Sequence, residues 1–206
     1  MSNLSHTAKL SRENAAVLLV DHQLGLVVGS RYPDPETLCR NVLGLVRAAQ
    51  ILGVPIVATT TGEKVFGPVF PELKDALSDI EIIERSIIDP LDDPKVANAI
   101  AATERTHLIT AGTFVEVCAA FPAVSATERG HRSYVAVDAS AAANEIELYT
   151  AILRMTHAGV TVANYAALVV EMIADNADPK AQEVYQSIRS QYGVSSLAAL
   201  SNLFNE

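Results

Sequence analysis

The sequence predicts an α/β fold: a three-layer α/β/α sandwich, doubly wound around a mostly parallel six-stranded sheet. Three observations predict it. Short apolar runs alternate along the chain with longer segments of helical periodicity. The runs are continuously apolar, so each reads as a strand buried on both faces, as parallel strands are. No linker rich in Gly, Ser or Pro, no internal repeat and no low-complexity tract divides the 206 residues, half of which are apolar. The chain therefore reads as one domain over 1–206, with an N-terminal arm at 1–10 and a C-terminal helical extension at 176–206.

AAVLLVD (15–21) is the first strand and ends in an acid. PETLCRNVLGLVRAAQILG (35–53) is a helix: Pro35 suits a first turn, Leu and Val recur at helical spacing, and Gly53 closes it. VPIVATTT (54–61) is the second strand, PELKDALSD (71–79) a short helix and EIIERS (81–86) a short third strand. Asp93 before Pro94 is a good helix start for DDPKVANAIAATER (92–105). THLITAG (106–112) is the fourth strand. CAAFPAVSATERG (118–130) is the next helix, with Pro122 tolerated near its first turn and Gly130 ending it. SYVAVDAS (133–140) is the fifth strand, EIELYTAILRMTHAG (145–159) a helix and VTVANY (160–165) the sixth strand. Two helical stretches follow near 166–175 and 179–191, and YGVSSLAALSNLF (192–204) carries apolar residues that suit an interface or a final helix. Right-handed crossovers restrict this β–α order to a doubly wound sheet.

The net charge of −9 argues against a general nucleic-acid or anionic-membrane binder. The polar start MSNLSHTAKLSREN is not a secretory signal, and no apolar run is long enough for a membrane span. Two cysteines without a C-x-x-C unit make neither a disulfide framework nor a cysteine zinc site, so a cytoplasmic protein with reduced thiols is expected. No G-x-G-x-x-G or P-loop motif supports nucleotide binding.

In a doubly wound sheet, ligands gather outside the carboxyl ends of the strands. Asp21, the run Thr59, Thr60, Thr61, then Arg85, the segment 112–118 and Asp138 all fall at such ends, with Cys118 among them. A cysteine hydrolase needs a thiolate, a proton-transfer group, a stabilising charge and donors for an oxyanion. At the front of a helix, Cys118 gains from the partial positive charge there, which lowers a thiol pKa. Asp21 can take and return its proton, and Arg85 can hold the carboxylate.

Plainer readings stand beside these. Cys118 can be a small buried hydrophobe, Asp21 a strand terminator and Arg85 a surface ion-pair member. His22 reads as a structural group in preference to a base. Gln23 either contacts substrate or orients Asp21. Glu116 reads as an acid favoured by a helix N-terminus, Asp138 and Ser140 as turn formers, and Asn144 as a helix cap in preference to a pocket residue. Cys39 reads as core. Phe66 and Phe70 either cover the pocket or pack at a subunit interface.

LLVDHQ (18–23), the basic residue of IIERS (82–86), AGTFVEVC (111–118) and VDAS (137–140) together resemble the isochorismatase-like cysteine hydrolases. AAVLLVDHQ and VEVCAAFPAVSA are most similar to the YcaC-like branch of that superfamily, and the resemblance spans about residues 10–175. It implies a triad, which falls on Asp21, Arg85 and Cys118. It also implies a cis peptide before the nucleophile turn, by position Thr113–Phe114, with the Phe114 and Cys118 N–H groups forming an oxyanion hole. Gln23, Thr61 and Phe66 are the candidate substrate contacts. The resemblance implies a homo-oligomer, an octamer among the sizes it allows, as partner to a small-molecule substrate.

Two departures sharpen this. Many members carry lysine where this chain has Arg85, and arginine keeps the charge but does not readily release a proton. Acid–base work then falls on Asp21. The nicotinamidases of the superfamily carry an Asp-x-His run with a further histidine, forming a metal site. Here TTTGEKVFGPVF (59–70) has no histidine, and the five histidines are scattered, so no metal and no other cofactor is expected. The expected activity is metal-independent hydrolysis of an amide-type C–N bond in a small molecule, through a cysteine thioester. The alternative is a non-catalytic or redox-responsive oligomer that retains the fold.

Overall fold

Six strands, all parallel, form one sheet in the order β3-β2-β1-β4-β5-β6. The structure is a computed structural model, and its described residues are 9–188. Residues 1–8 of the expected arm and 189–206, which include the 192–204 stretch, lie outside the described residues. In chain order the elements are β1 (Ala15–Val20), α1 (Leu24–Val27), α2 (Pro35–Leu52), β2 (Ile56–Thr61), α3 (Glu63–Phe66), α4 (Pro71–Ala76), β3 (Ile82–Arg85) and α5 (Pro94–Ala102). There follow β4 (His107–Gly112), α6 (Ala120–Glu128), β5 (Arg132–Ala136), α7 (Glu145–His157), β6 (Thr161–Ala163), α8 (Tyr165–Ile173) and α9 (Ala181–Ser187).

The continuous apolar run of β1 has a direct cause. Ala15, Val17 and Leu19 enter the core shared with α2, α4, α8 and α9, while Ala16, Leu18 and Val20 enter the core shared with α5. Both faces are covered, so neither parity of the strand can be polar. The helices take their ends from local chemistry. Asp34 accepts the Thr37 N–H at the start of α2, Asp93 caps α5, Asn144 caps α7 and Asn164 caps α8. Gly53 ends α2 in the left-handed conformation, φ 73°. On α2, a Cβ at Gly44 would sit 2.7 Å from the Tyr165 hydroxyl, so glycine allows α8 to pack closely there.

Several boundaries differ from expectation. The fifth strand stops at Ala136, and Val137–Ala139 is a 3₁₀ turn. The reason is Asp138, whose Oδ1 accepts the Tyr165 N–H at 2.7 Å while Asn41 donates to its carbonyl at 2.8 Å. The helix after β4 does not open at Cys118. A wide π turn over Val115–Ala119 precedes α6, closed by the Ala120 N–H on the Val115 carbonyl. Pro122 is part of the cause: it has no N–H to return to the Cys118 carbonyl four residues back. The single-turn helices α1 and α3 lie in segments to which the sequence assigns no element, because four residues are too few to show a period. Phe70 is core, 2% exposed, and not a pocket cover.

Strand order reverses between β1 and β4, so the crevice beyond their carboxyl ends is the topological switch point. Among the described residues, no helix is long and apolar enough to cross a membrane.

Ser140 ties the ends of β4 and β5 together at this edge of the sheet. It is fully buried, donates to the Ala136 carbonyl at 2.9 Å and accepts the Gly112 N–H at 3.1 Å. Ser140→Ala removes both bonds and leaves the buried Gly112 N–H without its hydroxyl partner, and a stability loss of about 1–3 kcal/mol is expected in urea unfolding. A loss near zero would show that these bonds contribute nothing net.

Candidate active site

The first strand delivers Asp21 in the left-handed region, φ 59°. This is uncommon outside glycine, although Asp tolerates it better than most, and it persists where neighbours fix it. The Asp21 N–H donates to the Thr59 carbonyl at 3.1 Å. Next in sequence, the His22 Nε2–H donates to the Ala139 carbonyl at 2.9 Å. Gln23 is fully buried; its amide donates to the Thr61 and Gly67 carbonyls, and its oxygen accepts the Thr61 N–H at 2.9 Å. Residues 21–23 thus join β1 to the ends of β2 and β5.

The Asp21 carboxylate is 1% exposed. Its Oδ1 accepts from Thr59 Oγ1 at 3.3 Å. Its Oδ2 accepts from Arg85 Nη2 at 2.5 Å and lies 3.5 Å from the Cys118 sulfur. Arg85 is itself buried, and its Nη1 donates to the Ile87 and Ile88 carbonyls at 2.6 and 3.1 Å. One guanidinium therefore holds both the carboxylate and the turn that follows β3. A lysine has a single ammonium at that reach, so the arginine supplies a rigid fork as well as a charge.

Cys118 lies inside the π turn, with its own N–H bonded to the Phe114 carbonyl at 2.7 Å. A Cβ at Gly112 would stand 2.7 Å from the Cys118 carbonyl carbon and oxygen. Glycine at the end of β4 is what lets the thiol turn fold back onto the strand. The Thr113–Phe114 peptide is cis. Phe114 directs its N–H toward the Cys118 sulfur, and its ring packs near Gly29. The expected pair of oxyanion donors is thus corrected for the resting site. The Phe114 N–H faces the thiol, but the Cys118 N–H is taken up in a helical bond because the helical turn begins before it.

The thiol pKa is corrected as well. It is raised, first by burial, then by the negative charge of Asp21 and the hydrogen bond to it. Arg85 and the Phe114 N–H pull in the other direction without overcoming this. Asp21 is also raised, chiefly by burial, against the opposing pull of Arg85. Two acids share one dry site, and burial there sets the direction. The resting pair is a protonated thiol hydrogen-bonded to the carboxylate.

Of the expected substrate contacts, Gln23 has both amide donors engaged with backbone and acts as a brace. Thr61 has its N–H and carbonyl joined to Gln23. Phe66 is half-buried at the end of α3, where its backbone oxygen would lie 2.7 Å from a Cβ at Gly25. Thr113 is buried, its N–H donating to the Val20 carbonyl at 3.1 Å. Cys39 and Cys118 are both free thiols, and Cys39 packs against the main core. Thr59 joins the site through its hydroxyl; its position at a strand end was the available signal. Gly112 had no signal, since its close approach is to a residue six places on. Among the described residues, no three His, Cys, Asp or Glu side chains gather so as to hold a metal ion.

With this geometry in place, comparison with known proteins is informative. The family model for the isochorismatase domain matches residues 15–167. The chain is 38% identical to the probable hydrolase YcaC of Escherichia coli strain K12 over 169 residues, covering 81% of each chain. The crystal structure of the E. coli YcaC gene product, described as an octameric hydrolase of unknown specificity, superposes with a TM-score of 0.89 at 34% identity, over 95% of this chain and 98% of that one. YcaC from Pseudomonas aeruginosa, solved with hexane-2,5-diol and covalent acrylamide, gives a TM-score of 0.87 at 32% identity, over 97% and 98% of the two chains.

His22 offers a pH test of how this site is held. It is 1% exposed, its Nδ1 has no partner, and burial lowers its pKa from 6.5 to about 4. The fold keeps it neutral, while the unfolded chain protonates it below pH 6.5. Its contribution to stability is therefore present above that pH and is lost as pH falls from 6.5 towards 4, at about 1.4 kcal/mol per pH unit. His22→Gln removes this group's share of the slope. Urea unfolding between pH 4 and 7.5 should show the parent losing roughly 3 kcal/mol more than the variant across the window. Parallel curves would show that His22 is not held neutral.

Proposed function

The chain belongs to the isochorismatase family of hydrolases, and from that premise we propose that it is a cysteine hydrolase that cleaves an amide-type C–N bond of a small molecule without a metal. The observation that carries this reading is the shared oxygen: Asp21 Oδ2 meets both the Arg85 guanidinium, at 2.5 Å, and the Cys118 thiol, at 3.5 Å. A carboxylate placed there can accept the thiol proton at the moment of attack.

In the proposed sequence, the Cys118 sulfur attacks the substrate carbonyl while its proton passes to Asp21. The Phe114 N–H, already turned toward the sulfur, donates to the developing oxyanion. The C–N bond breaks as Asp21 returns the proton to the departing amine, leaving an acyl thioester on Cys118. Water then attacks the thioester, giving its proton to Asp21, and the carboxylic acid leaves as the thiol is restored. Arg85 stays charged throughout and keeps Asp21 ionised between steps. Thr61 and Phe66 are the proposed substrate contacts.

A resting protonated thiol suits this scheme, because the charge on sulfur forms only with substrate bound. The covalent acrylamide of the Pseudomonas relative supports a nucleophile in this fold, since acrylamide is an electrophile that thiols add to. The redox-responsive alternative is less favoured: sensor cysteines have low pKa values, whereas burial and Asp21 raise this one. The octameric E. coli relative supports a homo-oligomer here too.

The test is a panel of small amides assayed with Cys118→Ala and Asp21→Asn. Both variants should lose about a thousandfold or more in kcat/KM on any amide the parent hydrolyses. Undiminished turnover by Cys118→Ala would exclude the thioester. A second readout separates the roles. Cys118 alkylation by iodoacetamide should keep rising with pH beyond 9 in the parent, since the thiol pKa is raised. It should be faster at pH 7 in Asp21→Asn, which lacks the charge and the hydrogen bond that hold the proton on sulfur. Slower alkylation in that variant would show that Asp21 does not hold the proton there.

A further inference from the structure

Helix α7 lies on the outer layer against α6, and its inner side is core: Ala151 and Met155 are buried. Its outer side is apolar without an intrachain cover among the described residues. Ile146 is 75% exposed, Tyr149 59% and Leu153 58%. At 100° per residue these three, with Thr150 and His157, fall on one face along about 16 Å of helix. Apolar side chains scattered singly need no explanation, but a stripe of three on one helix face does.

From this face we propose that two copies of the chain pair through α7, antiparallel about a two-fold axis near Tyr149 and Thr150. In that arrangement the helix is self-complementary in charge as well as in its apolar stripe. Ile146 meets the partner's Leu153, and Leu153 meets the partner's Ile146. Tyr149 and Thr150 meet across the axis. On one flank, Glu147 comes within two residues, about 3 Å along the axis, of the partner's Arg154, and Arg154 as near to the partner's Glu147. A contact in which each residue finds its match in the other copy is the signature of a closed two-fold interface. The charges cannot satisfy one another within one helix, because seven residues put them about 10 Å apart along the axis. Arg154 is held at the flank by its guanidinium lying 4.7 Å over the Phe121 ring. Glu147 is held by the Ala143 N–H, which donates to its Oε2 at 3.2 Å. Two placed charges of opposite sign beside an apolar stripe set register as well as attraction. A parallel pairing would instead put the two copies' Glu147 and Arg154 on opposite flanks of the contact, where neither charge meets its opposite.

This rests on the homo-oligomer reading above and names the face that makes one of its contacts. Leu153→Asp and Ile146→Asp are each made and measured by sedimentation velocity beside the parent. Circular dichroism and thermal unfolding check that each variant is folded, which is expected because both side chains are exposed. The parent should sediment as an oligomer, and each variant should fall to half that mass or less. A monomeric parent overturns the oligomer reading and this proposal with it. An oligomeric parent with variants of unchanged mass overturns this face alone. If residues 189–206 cover the stripe in place of a second copy, the mass stays unchanged and that segment becomes sensitive to protease in Leu153→Asp, which also overturns the proposal. Charge reversal tests the antiparallel register. Glu147→Arg and Arg154→Glu should each weaken assembly alone and should restore it when the two are mixed, since each copy then offers the sign the other lacks. No recovery on mixing overturns the register.

Discussion

Asp21 is a carboxylate with almost no access to water, and its neighbourhood is organised by that fact. A buried charge of this kind is stable only when paired and hydrogen-bonded. Its partners come from three other strand ends: Thr59 on β2, Arg85 closing β3, and Cys118 in the turn after β4. Parallel register brings them level, since Val20 pairs with both Thr59 and Gly112, and Thr61 pairs with Arg85. Removing the arginine would leave the carboxylate unpaired in a dry site, a change that typically costs several kcal/mol when a buried pair is broken. The ion pair is therefore a condition on the whole carboxyl edge of the sheet as well as on its chemistry.

The same charge sets the state of the thiol. Low dielectric disfavours a second anion beside the first, so the proton rests on sulfur and the carboxylate remains the acceptor. Arginine in place of lysine fits this division of labour. It stays charged, it grips Asp21 and the Ile87–Ile88 carbonyls at once, and it leaves proton transfer to the Asp21–Cys118 pair. Site and scaffold are joined by glycines where backbone meets backbone. Gly112 admits the Cys118 turn, and Gly25 admits the backbone of Phe66, so α1 and α3 pack closely on one another.

Much of this was legible in the linear sequence. Continuous apolar runs fixed the strands, because a strand covered on both faces leaves no parity free for polar residues. Capping Asp and Asn residues and the closing Gly53 marked the helix ends, because these signals act within a few residues of one another. The order of the strands places Asp21, Arg85 and Cys118 at one edge, because chain topology alone sends every parallel strand end to the same side.

What the tertiary structure decided lies beyond that local reach. The thiol pKa moved opposite to the helix-end expectation, because burial and a charge 97 positions away push it up. Gln23 became a brace and the Cys118 N–H became part of a helical bond, because hydrogen-bond partners are chosen by whichever group arrives in space. Asp138 turned away to cap α8 for the same reason. The sequence by itself determined which residues could reach the crevice. Only the packed structure decided which donors and acceptors were already taken there, because burial and distance are properties of the assembled fold.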